Sequence, residues 1–166
     1  MYAGKETSPG IWLCSLLAAK SKLMKETILR NELSVILLCA ELAFMVKSSL
    51  GSEIGEVIYL TDSTIALSWC SSETIKLRLF VYNRVMTILR LFEWTTGSKD
   101  VVLFHIDGSK NLADMLMKEH DVGVETVSKG SYWIKGLPWM RKDKKEMPIT
   151  SYEKLKLDKK TTDNVQ

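Results

Sequence analysis

Val57-Ile58-Tyr59-Leu60-Thr61-Asp62-Ser63-Thr64 is the stretch on which the reading of the fold turns. Val57 to Leu60 is a continuous run of β-branched, aromatic and aliphatic residues, the composition of a buried strand. Asp62 follows at the carboxyl end of that strand, the edge at which an open α/β sheet places its ligands. Ser63 and Thr64 then open a short helix over residues 64–69. Two roles stay open for this junction. Asp62 or Ser63 caps the helix, or Asp62 is a functional carboxylate.

On the amino-terminal side, residues 1–10 contain Gly4, Ser8, Pro9 and Gly10 and read as an irregular start. Residues 11–19 (IWLCSLLAA) read as a strand with little polar character, buried on both faces. Thr27 can cap a long helix over about 29–50. Its apolar positions Leu33, Ile36, Leu37, Ala40, Ala43, Phe44 and Val46 recur at helical spacing, with Glu41 and Lys47 off that face, and Gly51 ends it.

On the carboxyl side, a second long helix is expected over about 75–92, with Leu79, Tyr82, Val85, Met86 and Leu89 as its buried stripe. Gly97 marks a turn. Residues 101–106 (VVLFHI) form a third strand, residues 107–110 a turn, and residues 111–118 a short helix. Residues 119–140 form an irregular segment that packs on the core. Residues 141–166 form a charged, flexible tail. Alternation of strands and helices makes the domain, residues 11–118, α/β with parallel strands and right-handed crossovers.

The net charge is +3, and the eight Lys/Arg and five Asp/Glu from Arg141 onward account for all of it. A neutral body is not the footprint of a protein that coats nucleic acid by charge alone, so nucleic-acid contact must be local or depend on metal ions. Cys14, Cys39 and Cys70 show no zinc-ligand spacing and read as buried, reduced thiols of an intracellular protein in the cytoplasm or nucleus. Lys5, Glu6, Pro9 and Gly10 interrupt any signal peptide. The apolar run 35–46 is broken by Glu41 and too short to span a bilayer, so no membrane partner is expected.

Three acids occupy recurring places: Glu32 in the first turns of the long helix, Asp62 at the end of the central strand, and Asp114 in the first turn of the last helix. Glu32 and Asp114 also suit helix amino-termini electrostatically, and Asn111 with Asp114 comes close to a capping box. If the three converge, they form an oxygen-only cluster suited to Mg²⁺ or Mn²⁺ and to two-metal phosphodiester hydrolysis.

Six motifs stand in order: LLAAKSKL (16–23), TILRNEL (27–33), TDST (61–64) followed by Trp69, FVYNRV (80–85), FHIDGSKNLADML (104–116) and YWIKGLPWM (132–140). Together they resemble the ribonuclease H-like region of Pao/BEL-type retrotransposon polyproteins, over about residues 13–140. The resemblance implies a mixed sheet with flanking helices, and a domain that cuts the RNA strand of an RNA–DNA hybrid as part of a longer polyprotein. It makes Glu32, Asp62 and Asp114 the second, third and fourth acids of the carboxylate set, holding Mg²⁺ or Mn²⁺. His105, nine residues before Asp114, matches a His that assists proton movement or product departure. Asn83 and Arg84 match an Asn-Arg pair, and Arg84 can touch a backbone phosphate or serve in a helix-surface ion pair. Trp133 and Trp139 can stack on bases or pack the segment onto the core. His120 matches nothing.

Departures from the family pattern stand at Leu29, Asn31, Asp107 and Leu112, and imply a diverged copy. The family's first acid is an Asp on a strand preceding residues 11–19, and this sequence has no Asp before Asp62. The expectation is a sheet without that first strand, with residues 11–19 either filling its place or leaving the fold compromised, and weak or absent metal binding. Three functions follow: an impaired hybrid-cutting domain, a catalytically inactive remnant that binds nucleic acid or protein, and an interaction domain whose acids are all helix caps.

Overall fold

Helix α1, Ile28–Leu50, is the longest element. It forms where apolar residues recur every three or four positions, and it buries Leu33, Ser34, Ile36, Ala40 and Ala43. Gly51, at φ 56°, ends it in a conformation that a side chain would strain. Thr27 stands at the N-cap with extended backbone, but its side chain makes no cap hydrogen bond. The computed structural model describes residues 1–21, 27–71, 77–98, 103–114 and 131–155. They fall into two compact units, one made of residues 1–19 and 106–149 and the other of residues 20–105 and 150–166.

In the second unit α1 packs on α3, Leu79–Thr96. The buried stripe of α3 is Val85, Ile88, Phe92 and Thr95. This corrects the expected stripe, of which Val85 alone is buried: Leu79 and Tyr82 are 75% and 50% exposed, and Met86 and Leu89 are half-buried. The α1 helix also differs from expectation at Lys47. That residue lies on the side facing α3, where its Nζ donates to the Thr95 carbonyl at 2.5 Å. Phe44 and Trp94 join the two helices by their rings, centroids 4.3 Å apart. The opposite side of α1 carries Ile28, Val35 and Met45, 76%, 55% and 57% exposed. By length and composition the helix Ile28–Glu53, which holds an 18-residue window of mean hydropathy 1.8, meets the requirement for crossing a membrane; a helix with one face in a protein core meets the same requirement.

Strand β3, Tyr59–Thr61, is shorter than the sequence suggests and shifted towards Asp62, and it stands at one end of its three-stranded sheet instead of at the expected centre. It pairs in parallel with β4, Leu103–Ile106, in the register Tyr59 with Leu103, Leu60 with Phe104 and Thr61 with His105. The helix α2, Thr64–Ser71, leaves β3 directly and buries Ala66, Leu67 and Cys70. Strand β5, Ile149–Thr150, completes the sheet order β3-β4-β5. Tyr59 stacks on Phe92 at 4.0 Å between centroids, and its hydroxyl bonds Thr95 Oγ1 at 2.7 Å. Thr95 Oγ1 itself donates to the Leu91 or Phe92 carbonyl, so Tyr59 is the donor in that pair.

The first unit contains a β-hairpin where the sequence suggested an irregular start. The strands β1, Tyr2–Ser8, and β2, Ile11–Leu16, pair antiparallel from Tyr2 with Leu16 to Ser8 with Ile11. Pro9 and Gly10 turn the chain, with Gly10 at φ 76°. The expected strand over 11–19 is thus real as far as Leu16, but it is not buried on both faces: Ile11 and Leu13 are 60% and 64% exposed. Nor does it enter the sheet of β3, since β1 and β2 form a two-stranded sheet of their own.

The segment 131–141 packs on this hairpin. A short helix, Tyr132–Lys135, is followed by a 3₁₀ turn at Pro138–Arg141. The Tyr2 hydroxyl donates to the Trp133 carbonyl at 2.7 Å, and the two rings meet edge to face. Trp12 Nε1 donates to Asp143 Oδ1 at 3.1 Å. Part of the expected charged tail has regular structure: a 3₁₀ turn at Lys144–Glu146, strand β5, and a helical turn at 152–155.

Candidate active site

The site is built at the carboxyl end of the parallel β3–β4 pair. Parallel strands point the same ends in the same direction, so Thr61 and His105, aligned in register, end side by side. Asp62 follows Thr61 and is exposed. Ser63 is buried and caps α2: its Oγ accepts from the Ala66 N–H at 3.1 Å, while its own N–H donates to Thr61 Oγ1 at 3.1 Å. The cap at this junction is therefore Ser63, and not the exposed Asp62.

The Ser63 hydroxyl donates in turn to Glu32 Oε2 at 2.5 Å. A half-buried carboxylate on the second turn of α1 is thereby tied to the residue next to Asp62, across 31 positions of sequence. Glu32 is thus bonded to the residue after Asp62, while Thr61, the residue before Asp62, is in register with His105. The acids' spacing in the sequence does not show whether they converge, nor does it point to Ser63 as a connecting residue. Its signal in the sequence was only that of a cap.

Asp114 belongs to the other unit. It lies in the helical turn at 112–114, where the Asn111 carbonyl accepts from the Asp114 N–H at 3.1 Å and Asn111 Oδ1 accepts from the Ala113 N–H at 3.2 Å. Asn111 thus acts as the cap of this turn. Just before it, Asp107 Oδ1 accepts from the Ser109 N–H at 2.9 Å and organises the preceding 3₁₀ turn. His120 lies outside the described residues.

The Asn83–Arg84 pair is divided by the surface of α3. Asn83 is exposed. Arg84 is half-buried, with its guanidinium carbon 4.3 Å from the Phe80 ring centroid and its Nη1 donating to Ser34 Oγ at 2.6 Å. Arg84 thus makes a cation–π contact to Phe80 and a hydrogen bond across to α1. Trp133 and Trp139 are half-buried in the segment that packs on the hairpin, and the Trp139 indole nitrogen is buried.

Of the cysteines, Cys70 is buried, Cys14 half-buried and Cys39 exposed, so the expectation of three buried thiols holds at Cys70 alone. Burial pushes the Cys70 thiol up to about 12.

Mg²⁺ takes hard oxygen ligands and accepts as few as one or two carboxylates when substrate phosphates and waters supply the rest. Glu32 and Asp62 are donors of that kind. Two-metal hydrolysis requires more, and among the described residues no three of His, Cys, Asp and Glu gather into a group able to hold a metal ion. The residues described fit a complete two-metal centre only in part. No family model, curated protein or solved structure matches the chain.

Proposed function

We propose that this chain is a ribonuclease H-like domain of the Pao/BEL retroelement type, whose ligand is an RNA–DNA hybrid and whose hydrolysis of the RNA strand with Mg²⁺ or Mn²⁺ is impaired. The observation that carries the reading is the Glu32–Ser63 hydrogen bond, which ties the α1 acid to the strand end bearing Asp62, beside His105. A helix cap needs only Ser63. It does not need an acid from a distant helix or a second, exposed acid. The six ordered sequence motifs support the same reading, and three of them, TILRNEL, TDST and FHIDGSKNLADML, supply these residues.

A second reading is an inactive remnant that keeps nucleic-acid or protein binding alone. What favours it is that no three-residue metal group is found among the described residues. Thermal unfolding with and without Mn²⁺ separates the two. Metal bound to the folded state raises stability by RT ln(1 + [Mn²⁺]/Kd), about 2.7 kcal/mol at a hundredfold excess over Kd. The proposal predicts a rise in Tm that Asp62→Asn abolishes. A Tm unmoved by Mn²⁺ in a chain that still binds hybrid selects the remnant. A chain that responds to neither is an interaction domain.

A further inference from the structure

The amino-terminal ends of α1 and α3 are joined by one aromatic ring shared between two arginines. Arg30 Cζ lies 4.6 Å and Arg84 Cζ 4.3 Å from the Phe80 ring centroid. Two like charges held on one ring repel each other, and the ring's negative faces offset only part of that, at about 0.5–1 kcal/mol per exposed cation–π contact. Arg84 alone is enough to fasten the helices, because it both stacks on Phe80 and donates to Ser34 of α1. Arg30 reaches the same ring from α1. It is exposed, and among the described residues its one contact of this kind is the Phe80 ring.

The surroundings increase the positive potential. Arg30 is the third residue of α1, and Phe80 the second residue of α3. Neither helix has an acid in its first turn, and neither N-cap side chain, Thr27 or Arg78, makes a cap hydrogen bond. Both helix dipoles therefore present their positive ends at the place where the two guanidinium groups meet. A guanidinium stacked on a ring by its face still offers the N–H groups along its edge, in the fork that matches phosphate oxygens.

We infer that Arg30 and Arg84, held on Phe80, form a clamp for the phosphodiester backbone of the bound nucleic acid. This inference rests on the proposed hybrid-binding function and names the surface that performs it. Arg30 and Glu32 are two positions apart in α1, about 200° around the helix axis, so the clamp lies on nearly the opposite side of α1 from the carboxylate. Such contacts fix the position of the duplex and carry no sequence information. Arg30, Arg84 and Phe80 are accordingly positioning residues.

The test is fluorescence anisotropy of a labelled RNA–DNA hybrid with the full chain in EDTA, across a series of salt concentrations. Arg30→Gln is the first variant, because an exposed side chain can be changed without disturbing the α1–α3 contact, and its Tm should match the wild type. The expected result is a several-fold loss of affinity, the same for hybrids of different sequence, with the slope of log K against log salt smaller by about one. Arg30→Lys should recover part of the affinity, and Phe80→Leu, which keeps both charges but removes their shared support, should lose part of it. Wild-type affinity and slope in Arg30→Gln would overturn the clamp and leave hybrid binding intact. A wild-type chain that binds no hybrid even at low salt overturns the proposed function and the clamp with it.

Discussion

Glu32 Oε2 accepts a 2.5 Å hydrogen bond from Ser63 Oγ, the same oxygen that accepts from the Ala66 N–H to cap α2. One buried hydroxyl thus fastens the second turn of α1 to the strand–helix junction. Ser63→Ala removes the cap and the partner of a half-buried carboxylate together. The expected cost is about 1–3 kcal/mol in urea unfolding, a cap being worth about 0.5–2 and an unsatisfied group adding to it. A double-mutant cycle with Glu32→Gln should give a coupling of at least about 0.5 kcal/mol. Strict additivity would show that the two residues do not hold one another.

The register of α3 can be tested by two truncations. Ile88 is fully buried and Leu79 is 75% exposed, although both are aliphatic residues on one helix. Ile88→Ala should cost about 2–5 kcal/mol by lost transfer energy and the cavity left behind. Leu79→Ala should change stability by no more than about 0.5 kcal/mol. A larger cost for Leu79→Ala than for Ile88→Ala would place the helix in the register expected from the sequence alone.

Gly136 is buried at φ 72°, and a Cβ there would stand 2.8 Å from Cys14 Sγ and 3.0 Å from Met140 Sδ. Gly136→Ala meets both an unfavourable backbone conformation and a steric conflict with the hairpin. Destabilisation of about 2–4 kcal/mol is expected in denaturant unfolding. Adding Cys14→Ala should return part of this by relieving the nearest contact. The φ strain should remain, so full recovery would contradict the backbone argument.

Stability should fall at high pH through two buried acids. Burial pushes the Tyr59 hydroxyl up to about 12 from 10.0, against the opposing hydrogen bond with Thr95, and the Cys70 thiol up to about 12 from 9.0. Both groups are neutral in either state well below pH 9.0, so neither adds a pH dependence there. Above their ordinary values the unfolded chain releases protons that the folded chain retains. Each group then lowers stability by about 1.4 kcal/mol per pH unit until its folded value is reached. Tyr59→Phe, which keeps the stack on Phe92, should make the decline between pH 10 and 12 shallower by one such contribution. An unchanged slope would show that Tyr59 ionises freely in the folded chain.

The long elements were legible in the sequence because periodicity is a property of many residues at once. Helix α1 falls within one residue of the expected start, and Gly51 ends it as read. Single positions were harder. In α3 the aliphatic residues run around much of the first turns, so Leu79 and Tyr82 look like core until Phe92 and Thr95 fix the register on Tyr59. The β1–β2 hairpin was missed because Gly4, Ser8, Pro9 and Gly10 weigh towards loop. The signal was nevertheless present, since Pro9-Gly10 is a turn pair placed between two segments that can pair. At the candidate site the acids could be named from the sequence, but the hydroxyl that joins Glu32 to the Asp62 junction could not. A capping serine and a bridging serine have the same sequence signature. The Arg30–Phe80–Arg84 stack was half visible, because Phe80 and Arg84 are four apart on one helix while Arg30 comes from another.

The most direct measurement follows an RNA strand, end-labelled in an RNA–DNA hybrid, for binding and then for cleavage on addition of Mg²⁺ or Mn²⁺. Retention of the hybrid, with slow divalent-dependent cutting of the RNA strand that Asp62→Asn removes, is the predicted result. A chain that leaves the hybrid unbound, or that cuts it at a rate unaffected by Asp62→Asn, would contradict the reading of Glu32, Asp62 and His105 as the remains of a hydrolytic site.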